Sequence, residues 1–151
     1  MRRFVILGCL CCLFITCTKD YYNPIPSRYV YIEVDLAYLD KELESFLSYK
    51  IFTSKNTIRR KEFGFGFGGV LVTHTLFDEY KAFDIACPHE ARSNAVIEID
   101  DEHNAVCKVC GSKFEVIYNY SSGISIRGPS KYPLRSYPIT RRDNTLFIRN
   151  N

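Results

Sequence analysis

From residue 70 to the C-terminus one pattern recurs: short runs of β-branched and aromatic residues separated by clusters of Gly, Asp, Asn and Ser. Such runs at turn-marked intervals predict strands over 70–74, 80–86, 95–99, 104–106, 114–118, 124–127, 134–140 and 145–148. Asp100-Asp101-Glu102-His103-Asn104, Ser121-Ser122-Gly123 and Arg141-Arg142-Asp143-Asn144 supply residues that tolerate tight backbone geometry between them. Upstream, 29–36 alternates as a further strand. Residues 37–48 place Leu39, Leu43, Phe46 and Leu47 at helical spacing, predicting a helix that covers the sheet. The pattern as a whole is all-β, a small antiparallel barrel or sandwich, without internal repeat or second domain.

The run Gly64-Phe65-Gly66-Phe67-Gly68-Gly69 formally matches the glycine spacing of a dinucleotide-binding turn. That motif works only between a strand and a helix, where the glycines bring phosphate to the helix N-terminus. Charged residues precede this run and Val70-Leu71-Val72 follows it, so a glycine-rich turn or hairpin is predicted and no nucleotide site.

The N-terminal end follows a different pattern. Arg2-Arg3 leads an apolar run to Ile15, too short to span a bilayer comfortably, and Thr16-Cys17 ends it. This is the layout of a secretory signal over residues 1–16, and Leu13-Phe14-Ile15-Thr16-Cys17 resembles a bacterial lipobox, with Cys17 the acylated residue. Cys9, Cys11 and Cys12 lie within the apolar run and leave with it. Residues 17–27, with Asn23, Pro24, Pro26 and Ser27, read as a lipidated tether, and the folded domain as 28–151. The expected address is the bacterial cell envelope, with the chain anchored to a membrane at the outer-membrane or periplasmic face. Arg2-Arg3 is formally a twin-arginine pair but serves equally as the positive end of an ordinary signal.

Composition adds little to this picture. Eleven tyrosines and eleven phenylalanines in 151 residues are enough to build one core. The formal charge of +3 falls to +1 once Arg2 and Arg3 leave with the signal. Arg59-Arg60-Lys61 and Arg141-Arg142 are short solvated clusters, so no nucleic-acid partner is implied. His74, closing a strand, and His103, in an acidic turn, are read as surface residues. The carboxylates at 98–102 form a turn without the spacing of an acid–base pair.

The chemistry concentrates in two short pairs. Cys87-Pro88-His89 is followed, seventeen residues later, by Cys107-Lys108-Val109-Cys110-Gly111-Ser112. Two closely spaced ligand pairs predict two loops closing on one metal centre, Gly111 allowing the second loop to bend as a knuckle. Three occupancies of Cys87, His89, Cys107 and Cys110 are chemically open. One is a 2Fe–2S cluster, another a tetrahedral zinc. The third is no metal, with Cys107 and Cys110, or Cys87 with either, oxidised to a disulfide.

This region resembles a Rieske iron–sulfur domain. The resemblance rests on Cys87-x-His89, on Cys107-x-x-Cys110 at the right separation with Gly111-Ser112 behind it, and on Gly123, Gly128-Pro129-Ser130, Pro133-Leu134 and Tyr137-Pro138 in order. It covers about half the chain, from Val70 to Ile148. It implies a Rieske-like fold with a two-loop metal-binding tip, a 2Fe–2S cofactor, and single-electron exchange with an unknown redox partner rather than catalysis by the domain alone. It also implies that Ser112, Gly128 and Pro129 surround the cluster. One departure stands out: Cys110 occupies the position of the family's second histidine. Three thiolates and one imidazole add about one negative charge, which disfavours the reduced state and lowers the expected potential. Phe114 stands where some members carry a tyrosine that hydrogen-bonds the cluster, a second influence on the same quantity.

Overall fold

The computed structural model describes residues 22–57, 63–118 and 123–150. The segment 1–16 read as a signal, Cys17, the basic run 59–61 and the expected turn at Ser121-Ser122 lie outside the described residues. Among the described residues there are twelve strands and no α-helix: β1 Val30–Asp35, β2 Tyr49–Phe52, β3 Gly64–Phe65, β4 Val70–His74, β5 Tyr80–Asp84, β6 Ile97–Ile99, β7 Asn104–Cys107, β8 Lys113–Glu115, β9 Ser125–Arg127, β10 Ser136–Tyr137, β11 Ile139–Arg142 and β12 Thr145–Arg149. They form three antiparallel sheets of order β11-β12-β1-β3, β10-β5-β4-β2 and β6-β7-β8-β9. No sheet closes on itself, so the all-β architecture is a layered sandwich and not a barrel.

Burial shows how the layers stack. Along β1 alternate residues Val30, Ile32 and Val34 are buried, the period-two signature of a strand with one wet face. Along β4 every residue is buried, which requires neighbours on both faces. One face of the β4–β5 sheet sends Val70, Val72 and Ala82 into a core shared with Val30, Ile32, Val34, Leu146 and Ile148 of the first sheet. Its other face sends Leu71, Phe83 and Ile85 into a second core with Ile97, Ala105, Phe114, Val116 and Ile117 around the third sheet. The β4–β5 sheet is thus the middle layer, and the second core ends in Cys87 and Cys107.

Most expected strands appear, 70–74 with its expected bounds and the others with ends that differ by one to three residues. The run 134–140 divides into β10 and β11 at Pro138, which has no amide hydrogen to continue a ladder. The helix expected over 37–48 does not form. That segment holds one 3-10 turn, Lys41–Glu44, and of its apolar stripe Leu43 alone is buried, while Leu39 and Phe46 are exposed. The cause is local. Asp35 Oδ1 accepts from the amides of Ala37 and Tyr38, and Asp40 Oδ2 accepts from the Asp35 amide at 2.8 Å. With the Asp40 amide on the Asp35 carbonyl at 2.8 Å, these bonds close a tight turn over 35–40 in place of a regular helical ladder, and Leu47, at φ 60°, bars continuation.

His74 also departs from expectation. It is buried, stacked on Tyr80 with centroids 4.3 Å apart, beside Phe46, and its Nε2 lies 2.9 Å from Asp78 Oδ1. The residue that ends β4 inherits the two-sided burial of that strand. His103 is half-buried in its turn at φ 59°.

Candidate metal centre

Three loops meet at one end of the second core. The first begins where β5 ends. The Cys87 amide donates to the Ala95 carbonyl and the Ala91 amide to the Cys87 carbonyl, each at 2.9 Å, closing the loop against the Ala86–Val96 bridge. The second is the β7–β8 knuckle. Gly111 N–H donates to the Cys107 carbonyl at 2.8 Å and Cys107 N–H to the Ser112 carbonyl at 2.9 Å. Gly111 sits at φ +74°, a region costly for a side-chain-bearing residue, so glycine here is a requirement of the turn.

The third loop, after β9, lies on the second. A Cβ on Gly128 would meet Ser112 Cα at 2.5 Å and the Gly111 carbonyl at 2.9 Å, so only a glycine lets the two backbones touch. Ser130 N–H then donates to Ser112 Oγ at 3.0 Å. Ser112 is fully buried and ties the third loop to the second. Gly128 and Pro129 lie at the surface beside this contact.

The sulfurs of Cys87, Cys107 and Cys110 all lie within 4.8 Å of one another, and those of Cys87 and Cys110 are 3.6 Å apart. All three are free thiols. Three sulfurs converging at a core's edge can hold a metal ion. His89 projects into solvent and is not part of this three-sulfur group.

The thiols differ electrostatically. Burial pushes the Cys87 thiol up from 9.0 to about 12, although the amides of Glu90 and His89 donate toward its sulfur and pull the other way. At neutral pH this sulfur holds its proton, and a bound cation would displace it. For Cys110, burial also raises the pKa, but hydrogen bonds from the Ser112 hydroxyl and amide and from the Cys87 and Cys107 thiols together outweigh it and leave the thiol below its usual value. As a thiol, Cys110 donates to Ser112 Oγ at 3.1 Å; once ionised, it accepts from the same hydroxyl and from the Ser112 amide.

One organising residue escapes the sequence reading. Asp84, fully buried at the end of β5 and three residues before Cys87, accepts four hydrogen bonds. Phe67 N–H and the Tyr137 hydroxyl reach Oδ2 at 2.7 Å each, and Gly68 N–H and Ala86 N–H reach Oδ1 at 3.0 and 2.8 Å. Burial and the adjacent Asp84 charge push the Tyr137 hydroxyl far above its ordinary range, keeping it a donor. The glycine-rich run is thus a backbone cradle for a carboxylate that fixes the start of the first ligand loop. The readable signal was an aspartate inside the apolar run Ala82 to Ala86.

No protein-family model matches the chain, and no curated protein is significantly similar to it.

Proposed function

We propose that this is a Rieske-like electron carrier of the bacterial cell envelope, exported by the signal at 1–16 and anchored through lipid on Cys17. Its tip would hold a 2Fe–2S cluster on Cys87, Cys107, Cys110 and His89. The observation that carries this reading is the burial split among the four side chains: Cys87 and Cys107 are sealed at 0 % exposure, Cys110 is half-buried and His89 is exposed. An inner pair and an outer pair suit a two-iron group lying from core to solvent, with the outer iron where a partner can reach it. A bound cluster would supply a single-electron couple. The chain's own contributions are the donors around the sulfurs: the amides of His89 and Glu90 toward Cys87, and the Ser112 hydroxyl toward Cys110. Such donors to sulfur raise a cluster's potential, while the third thiolate lowers it.

A second reading has its own support. Sulfurs sharing one tetrahedral ion at about 2.3 Å lie about 3.8 Å apart, close to the 3.6 Å between Cys87 and Cys110. That spacing favours a structural zinc on three cysteines and one further ligand. We give the burial split more weight, because it is set by the backbones of three hydrogen-bonded loops, whereas a sulfur moves by ångströms when one χ1 changes.

The test is to purify the domain without oxygen from an iron-replete cytoplasm and measure iron, zinc and acid-labile sulfide with the visible spectrum. Two irons and two sulfides per chain are expected. One zinc and no sulfide would establish the second reading. A folded chain with neither metal would overturn both.

A further inference from the structure

The residues that follow the acylation candidate are held against the domain. The ring of Tyr22 lies edge-on to Tyr132 with centroids 5.9 Å apart. Asn23 Nδ2 donates to the Pro133 carbonyl at 3.1 Å, while Asn23 Oδ1 accepts from the Ile25 amide at 3.0 Å. Ile25 is fully buried, and its carbonyl accepts from Arg135 Nε at 2.8 Å. Contacts with the domain therefore reach back beyond Arg28, where the sequence places the start of folded structure.

All these partners lie on the segment that leaves the metal tip. Ser130, two residues before Tyr132, donates to Ser112 Oγ, which lies 3.1 Å from Cys110 Sγ. The N-terminal end is thus clamped on the tip side of the molecule. Cys17 precedes Tyr22 by five residues, a span of at most about 18 Å when fully extended.

The tip has a matching surface. Lys108, Arg127 and Lys131 are exposed, and among the described residues Arg127 and Lys131 enter no ion pair. Among the same residues Lys108 has only Glu98, at 4.0 Å. The first loop's acid, Glu90, is held by Arg92 at 2.8 Å. Exposed Val109, Ile126 and Pro129 neighbour these cations along the same loops. Cations around apolar side chains suit an interface of anionic headgroups and acyl chains.

We propose that the Tyr22–Ile25 clamp turns the metal tip toward the membrane that holds Cys17, with Lys108, Arg127 and Lys131 resting on anionic lipid headgroups. This rests on the lipid-anchor reading and is independent of which metal the tip holds. Electrons would then pass to a partner held in or at the same bilayer.

The chain contains no tryptophan, so one introduced reporter gives a clean signal. Val109→Trp places it on the tip, and Ile126→Trp is a second tip reporter should the first disturb the knuckle. Tyr38→Trp places a control at the far end of β1, where Tyr38 is 85 % exposed. Each full-length chain, acylated in bacterial membranes, is reconstituted into vesicles of brominated phosphatidylcholine with or without phosphatidylglycerol. Fluorescence at the tip should be quenched at least twofold more than at residue 38. The excess should fall by at least half without phosphatidylglycerol, and in a Lys108→Glu, Arg127→Glu, Lys131→Glu variant, since each surface cation changes membrane partition about fivefold. Equal quenching at both ends, or more at residue 38, overturns the orientation. An anchored chain quenched at neither position also overturns it and leaves the basic rim to an acidic protein surface. A chain that does not pellet with vesicles because Cys17 carries no lipid overturns the orientation together with the anchor, leaving the metal reading intact.

Discussion

The two faces of the middle sheet carry opposite duties. On one, Val70, Val72 and Ala82 pack against the aliphatic residues of β1 and β12. On the other, Leu71, Phe83 and Ile85 lead into a core that ends in cysteines. The same two strands therefore anchor a chemically inert base and a reactive tip. The comparison teaches where rigidity comes from: the ligand loops are short because both spring directly from strands already fixed from behind.

Breaking the tip alone should have the largest effect on function and a small one on the base. Cys107→Ser should reduce bound metal to less than a tenth of the wild-type content, measured by elemental analysis, while far-ultraviolet circular dichroism stays unchanged. Asp84→Ala should damage both regions, because it strands the buried Ala86 amide, the part-buried amides of Phe67 and Gly68, and the Tyr137 hydroxyl. A loss of about 3–5 kcal/mol in urea unfolding is expected, with weakened metal binding. Leu146→Ala, deep in the base, should cost about 2–4 kcal/mol, yet the apo and metal-loaded proteins should lose it equally.

The pH dependence sharpens the contrast. In the folded metal-free chain burial keeps the Cys87 thiol protonated up to about 12, whereas in the unfolded chain it ionises near 9.0. The unfolded state therefore releases this proton first. Stability is full below pH 9 and falls as pH rises toward 12, by about 1.4 kcal/mol per unit. Urea midpoints at pH 8 and pH 10 should show the drop, and Cys87→Ala should lack this component. The smallest effect is expected from Ser112→Ala. It removes the hydroxyl shared by Ser130 and Cys110 and should cost about 1 kcal/mol, with a shift of the metal's potential to lower values in a redox titration.

What the sequence made legible follows from the range of the interactions involved. Alternation in 29–36 and 145–148 reports local burial, and β1 and β12 appear where it predicts them. The Cys-Gly-Ser knuckle is also local, and its turn chemistry is visible in Gly111. The apolar stripe of 37–48 misled because Asp35 and Asp40 close a tight turn over 35–40, an outcome that periodicity does not encode. β2 and β3 were missed. Tyr49–Phe52 follows directly on that stripe, and Gly64–Phe65 is only two residues long. Asp84 with the glycine-rich run, and Asn23 with Pro133, are pairings across 16 to 110 residues, for which composition offered only the bland readings of turn and tether. The three-cysteine grouping was legible from spacing; the outward placement of His89 was not, since a side chain's direction depends on loop closure.

The most direct test of the central claim is X-ray absorption at the edge of whichever metal the purified protein carries. The account predicts a first shell dominated by sulfur, with a short iron–iron distance when the metal is iron, and loss of that shell in Cys107→Ser. A shell of oxygen and nitrogen alone, unchanged by the substitution, would place the metal elsewhere and contradict the assignment of this tip as the metal centre.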